Sequence, residues 1–157
     1  MITIKDECEH FKREARDYIY LQKIRPILDD EAQSIYDRLG IKSPRMREVI
    51  YENARDPKHD EKIDIWEAGK KKIRELVAVE TRIEAIDRVF DHMSDEKING
   101  ISIKDATFSL LVLGSSQSSM AENLGMDRST LRRKVNREIK KAIRKSKLPH
   151  WSGVDVI

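Results

Sequence analysis

An apolar stripe in the middle of the chain constrains the fold more than any other feature of the sequence. Apolar side chains recur there at alternating intervals of three and four residues: Leu76, Val79, Ile83, Ile86, Phe90 and Met93. Trp66 and Ile73 extend this face upstream, and charged residues fill the opposite side. The spacing predicts a long amphipathic helix over residues 65–93 with a coiled-coil-like face. Such a helix must pack against the N-terminal helix, against a second copy of itself, or against both.

The N-terminal segment, residues 1–42, carries another helical pattern. Apolar residues with three-and-four spacing predict a helix over about residues 6–39, namely Leu21, Ile24, Leu28, Ile35 and Leu39. Pro26 lacks a backbone donor, so we expect it to kink this helix or to begin a second one. Gly40 predicts the end of the helix. Residues 43–64 are charged and contain two prolines, which predicts a connector that holds at most a short helix.

The composition agrees with long, solvent-exposed helices. Charged residues make up 38% of the 157 residues and aromatic residues 6%, with only four prolines and six glycines. These values favour an all-α protein, with long coiled-coil-like helices in the N-terminal part. No apolar run approaches the roughly 18 residues that a membrane span needs. The N-terminus does not resemble a signal peptide, and Cys8 is the only cysteine, so we expect a cytoplasmic protein that does not bind membranes.

Residues 94–148 predict a compact helical domain. Ser94 precedes two acids and is expected to cap a helix, and Asn99 with Gly100 predicts a turn. Ser102 with Asp105 predicts a second cap, followed by a short apolar helix that ends at Gly114. The last residues, 149–157, are predicted to form a separate tail.

The stretch that follows Gly114 fits a helix-turn-helix. Ala121 takes the position where two helices cross most closely, and Gly125 takes the turn, where a positive φ is needed. Asp127 is placed to cap the second helix, and Ser115 or Ser116 the first. The predicted buried face consists of Met120, Leu124, Met126, Leu131 and Val135.

Positive charge is concentrated in the second helix of this pair, over about residues 128–145. The chain has a net charge of +3, yet residues 128–147 alone hold ten Lys and Arg and a single acid, Glu138. Glu138 is expected to pair with Lys134, four residues earlier. A helix with this charge after a helix-turn-helix turn predicts insertion into the major groove of double-stranded DNA.

The predicted DNA-binding residues fall into two groups. Side chains near the start of a recognition helix reach base edges, and those farther along meet phosphates. The predicted base-reading residues are Arg128, Ser129, Arg132, Arg133 and Asn136. The predicted phosphate contacts are Gln117, Arg137, Lys140 and Lys141, and Thr130 completes the set.

Other chemistries find no support in the sequence. The four histidines lie far apart, and Cys8 and His10 would point away from each other on a helix. The serine cluster at 115–119 has no nearby base or glycine elbow, and no glycine-rich phosphate loop is present. We therefore predict no catalytic residue, no metal ligand and no cofactor, and expect that the protein is not an enzyme.

The layout resembles the RinA/ArpU group of phage-encoded late transcription regulators. The resemblance lies in the order of "KSPRM" (42–46), "WEAGKKKIRELVAVETRIEAIDRVFD" (66–91) and "LGMDRSTLRRKVNREIKKAI" (124–143). It implies a C-terminal helix-turn-helix similar to sigma-factor region 4. It also implies a sequence-specific regulator of phage late promoters in the bacterial host cytoplasm, with RNA polymerase as a candidate partner.

Two other functions are compatible with the sequence. One is a DNA-recognition subunit of a packaging machine, similar to a small terminase, although the order of the elements favours it less. The other is a helical adaptor that binds proteins. For a regulator, the stripe at 73–93 is a candidate seam for a homo-oligomer, a dimer or a tetramer, because two copies can read repeated half-sites.

Overall fold

A computed structural model of the chain describes residues 2–40 and 59–155. Within these ranges the protein is almost entirely helical, which confirms the predicted all-α class at this level. The helices are α1 (Ile4–Arg16), α2 (Tyr18–Asp37), α3 (His59–Asp91), α4 (Ile103–Leu111), α5 (Gln117–Leu124) and α6 (Arg128–Asp155). Two short strands, β1 (Lys97–Ile98) and β2 (Ile101–Ser102), lie between α3 and α4. Residues 43–58 of the predicted connector lie outside the described residues, and its last part, from His59, belongs to α3.

The chain divides into two compact units. The first unit comprises Met1–Ile19 and Ile83–Ile157, and the second comprises Tyr20–Arg82. The first unit therefore combines both ends of the chain. None of the helices in the described ranges is long and apolar enough to cross a membrane.

The core of the first unit contains a cluster of aromatic rings. Phe90 at the end of α3 lies edge-on to Phe11 of α1 and to Phe108 of α4, each at 5.3 Å between ring centroids. Tyr18 packs edge-on against Phe108 at 6.0 Å, and its hydroxyl donates to Asp87 Oδ1 at 2.6 Å. Edge-to-face rings add to the stability that their buried area provides. α1, α4 and the end of α3 are thereby held together, and α1 also packs against α6.

The sequence analysis predicted the end of α2 near Gly40, where the chain turns with φ 73°, but it did not identify the cap of α1 or the break between α1 and α2. Thr3 caps α1: its Oγ1 accepts from the N–H of Asp6 at 3.2 Å, and Asp6 Oδ2 accepts from the N–H of Thr3 at 3.0 Å. α1 stops at Asp17, whose N–H donates back to Glu14 O. The expectation that Pro26 begins a second helix is wrong, because α2 begins at Tyr18 and contains Pro26.

The strands form a minimal antiparallel hairpin ahead of α4. Lys97 lies opposite Ser102, and the turn between the strands is made by Asn99 (φ 52°) and Gly100 (φ 84°). Two residues with positive φ define the type I′ turn that favours tight hairpins. The predicted turn is confirmed, but the predicted helix after Ser94 is wrong: Ser94 Oγ accepts from the N–H of Glu96 at 3.1 Å and leads into β1.

The second unit is built from α2 and the first part of α3. Tyr36 and Trp66 form its buried centre, with Leu39 and Ile73 packed against them. Lys72 Nζ lies 2.7 Å from Glu31 Oε2, which links the two helices at their surface. Part of the predicted stripe is thus buried against another helix of the same chain. Association of two copies through the stripe stays a prediction.

Candidate nucleic-acid interface

α5 and α6 are joined by a two-part turn whose geometry follows from local residues. Ser116 caps α5, with its Oγ accepting from the N–H of Ser119 at 3.4 Å. Gly125 then takes the left-handed conformation, with φ 70°. Its N–H donates to Glu122 O at 3.1 Å, and the N–H of Met126 donates to Ala121 O at 3.0 Å. This pair of bonds is the Schellman arrangement that ends helices at glycine, so the predicted turn at Gly125 is confirmed.

Asp127 starts α6. Its Oδ1 accepts from the backbone N–H of Thr130 at 2.9 Å, and Ser129 Oγ donates to its Oδ2 at 3.4 Å. Hydrogen bonds from the Thr130 side chain and backbone hold the pKa of Asp127 below its ordinary value. Asp127 is therefore an anionic cap at the positive end of the α6 dipole, as predicted from its position.

The apolar faces of the two helices are buried. Leu124 is 2% exposed and Leu131 is 1% exposed, and Ile139 is fully buried farther along α6. Ala121 of α5 is buried as well, at 3% exposure. The polar face of α6 is held outward because these residues are held inward.

The exposed face of α6 is strongly basic. At about 100° per residue, Arg133, Arg137 and Lys140 fall within roughly 60° of one another, on the side away from Leu131 and Ile139. The exposed basic residues of α6 up to Lys147 are Arg128, Arg132, Arg133, Lys134, Arg137, Lys140, Lys141, Arg144, Lys145 and Lys147. Such a density of Lys and Arg attracts polyanions.

Glu138, the one acid between residues 128 and 147, is hydrogen-bonded to the segment between α3 and β1. Its Oε1 accepts the backbone N–H of Ser94 at 2.7 Å. The predicted pairing of Glu138 with Lys134 is therefore wrong, since a backbone donor distant in sequence takes the carboxylate. The negative charge of Glu138 is directed away from the exposed basic face.

A groove of about 680 Å³ lies between α5 and the start of α6. Three of the predicted base-reading residues line it, namely Arg128, Ser129 and Arg132. Ser118 and Glu122 of α5 line it as well. Sequence reasoning did not select Ser118 or Glu122. The helical spacing of four residues between them was the available signal, but without the crossing of the two helices it does not indicate which side of α5 faces Arg132.

The ten predicted DNA-binding residues lie on two consecutive helices, α5 and α6. Gln117 is exposed at the first position of α5, and the other nine lie on the first fourteen residues of α6. Thr130 and Asn136 are half-buried and the remaining eight are exposed. The Nε of Arg133 donates to Ser129 O at 3.4 Å, so its side chain turns back toward the start of α6.

In the part of the chain that the structure describes, no three His, Cys, Asp or Glu residues come together in a way that could hold a metal ion. Comparisons with protein-family models, with curated proteins and with solved structures find no match for this chain.

Proposed function

We propose that the protein is a sequence-specific DNA-binding transcription regulator whose α5 and α6 act as a helix-turn-helix. The observation that carries this proposal is the exposed basic face of α6, opposite a buried apolar face and directly after the Gly125 turn. A recognition helix requires both faces: the apolar face fixes its angle, and the basic face enters the major groove. The proposal is of a binding protein and not of an enzyme.

The proposed DNA contacts of each residue follow from its position along α6. Arg128, Arg132 and Arg133, at its start, would read base edges, where arginine grips guanine through O6 and N7. Lys140 and Lys141, about two turns after Arg133, would contact phosphates. Gln117 at the start of α5 would add a phosphate contact close to the helix N-terminus, which favours anions.

The biological setting of the proposal comes from the resemblance to the RinA/ArpU group. It suggests phage late promoters as the targets, the bacterial host cytoplasm as the location and RNA polymerase as a second partner. A homo-oligomer, a dimer or a tetramer, would let two helix-turn-helix units read repeated half-sites. We propose the coiled-coil-like part of α3 as a surface through which such an oligomer forms.

The test is fluorescence-anisotropy binding of the full chain to promoter fragments of its own genome at two salt concentrations. We expect one fragment to be preferred, with a log–log salt slope of about −4 or steeper if about five phosphates are contacted. An Arg132→Ala/Arg133→Ala double variant should lose the preference, because each lost bidentate contact removes about 1–3 kcal/mol of discrimination.

The matched control is Lys5→Ala/Arg16→Ala, which removes the same charge from exposed positions of α1. This control should keep the fragment preference of the wild type. Equal binding of every fragment would favour a packaging or architectural protein. Absence of binding even at low salt would disprove the helix-turn-helix assignment and favour an adaptor.

A further inference from the structure

α2 carries an apolar face that the described residues, 2–40 and 59–155, leave uncovered. One face of the helix is buried in the second unit through Leu28 and Tyr36. Beside it, Tyr20 is 60% exposed and Ile27 is 53% exposed, although both are large apolar residues. Ile24 and Ile35 lie between these faces and are half-buried. We call Tyr20, Ile24, Ile27 and Ile35 the α2 stripe.

The α2 stripe is one continuous surface along the helix. At about 100° per residue, its four side chains fall within roughly 80° of one another. A helix that packs against a single neighbour needs one apolar face, and the rest of its surface is polar. An added apolar stripe beside the buried face is therefore typical of a helix that packs against two neighbours.

The charges of α2 indicate what the second neighbour is. The half of α2 before Ile27 holds Lys23 and Arg25 and no acid. The half after Ile27 holds four acids and no base, namely Asp29, Asp30, Glu31 and Asp37. A copy of α2 in antiparallel orientation would place each basic half across an acidic half. A parallel copy would place like charges together, which is unfavourable.

We propose that the α2 stripe is a self-association surface on which α2 of a second copy packs in antiparallel orientation. A two-fold axis near Ile27 makes the contact self-complementary, as closed dimers require. Lys23 of each copy then lies across from Asp30 and Glu31 of the other. Glu31 contributes less, because it already pairs with Lys72 at 2.7 Å. The surface differs from the stripe of α3, whose Trp66 and Leu76 are buried within the chain.

The first test is sedimentation equilibrium of the full chain without DNA, so its result does not depend on the proposed function. The wild type should shift from the mass of one chain toward that of two as its concentration rises. Ile27→Glu places two like charges at the two-fold axis and should weaken association by about tenfold or more. Leu113→Glu is the matched control, since Leu113 is 59% exposed between α4 and α5 and lies outside both α2 and α3. It should associate like the wild type.

A charge-swap series tests the orientation. Lys23→Glu and Asp30→Lys should each weaken the dimer, since each creates like-charge pairs across the axis. The double variant Lys23→Glu/Asp30→Lys should restore association, which a general loss of folding would not do. Circular dichroism of each variant checks that the helices remain. A wild type that stays monomeric, or a dimer that Ile27→Glu leaves unchanged, overturns the proposal. Failure of the double variant to restore the dimer overturns the antiparallel arrangement.

Discussion

Gly69 and Gly125 are required for different physical reasons, and only one of these is visible in the sequence. Gly125 needs a left-handed φ of 70° at the end of α5, a demand set by its immediate neighbours. Gly69 lies inside α3, where glycine lowers helix stability. Glycine is nevertheless required there, because the ring of Tyr36 on α2 approaches the backbone of Gly69. That approach depends on how two distant helices pack, so the helical pattern around Gly69 does not reveal it.

We predict that Gly69→Ala lowers the free energy of unfolding. Alanine would gain about 1 kcal/mol of helix propensity over glycine. A Cβ at this position, however, would lie 2.6 Å from Tyr36 Cε2, well inside van der Waals contact. Forcing an extra methyl group into a packed site costs about 1–3 kcal/mol, and we expect this cost to exceed the gain. Urea unfolding of the full chain measures the balance.

A double-mutant cycle isolates the cause of the Gly69 effect. Tyr36→Leu removes the ring edge that faces Gly69, at its own cost in stability. In that background Gly69→Ala should cost less, or stabilise, because the helix-propensity gain is no longer opposed by the ring. Equal effects of Gly69→Ala in both backgrounds would show that Tyr36 is not the obstacle.

At the scale of elements, the sequence predicted the helix boundaries that neighbouring residues determine. It did not predict the boundaries that depend on contacts with distant residues. The α5–turn–α6 pair followed from Gly125 and Asp127, whose hydrogen bonds stay within a few residues of the chain. The end of α1 did not follow, because no proline or glycine signals it and Tyr18 is held by the distant residue Asp87. The strands of the hairpin are two residues each, too short for an alternating pattern to be recognised.

The cap of α6 makes a prediction about pH. The pKa of Asp127 is lowered by folding, so its charge stabilises the folded chain fully above the unfolded-state pKa of about 3.9. This stabilisation disappears as the pH falls through the lower folded-state pKa. Asp127→Asn keeps an oxygen that can accept from Thr130 but has no charge. It should melt below the wild type at neutral pH and together with it in strong acid.

The Asp127 prediction has an internal control. Asp127→Ala removes the acceptor as well as the charge, so its melting temperature should stay below that of Asp127→Asn at every pH. Thermal melts followed by circular dichroism give all three curves. A constant difference between the wild type and Asp127→Asn across the acid range would show that the carboxylate charge does not stabilise α6.

At the scale of the whole molecule, the first unit joins the two ends of the chain. Helical periodicity predicted most of its elements, and burial of Leu131 and Val135 follows the predicted face of α6. The sequence did not predict that α1 packs against α6, because amphipathic patterns show that a face needs a partner but not which partner it finds. The candidate DNA-binding helix therefore depends on residues that lie more than a hundred positions earlier.

This dependence predicts the behaviour of fragments. Residues 94–148, the domain expected from the sequence, lack Phe11 and Phe90, which pack with each other, and Phe90 also packs with Phe108. Loss of one buried phenylalanine typically costs about 3–5 kcal/mol, and a small domain has only about 5–15 kcal/mol in total. The fragment should therefore lack a cooperative unfolding transition and bind the preferred DNA fragment far more weakly than the full chain.

The matched comparison is a fragment of residues 83–155 mixed with a peptide of residues 2–19, which together restore the first unit. Addition of the peptide should produce a cooperative thermal transition, because Phe11 and the α1–α6 contact return. A peptide with Phe11→Ala should do so only at higher peptide concentration, since it leaves a cavity beside Phe90. If residues 94–148 alone unfold cooperatively and bind DNA like the full chain, α1 is an accessory to a helix-turn-helix that is stable without it.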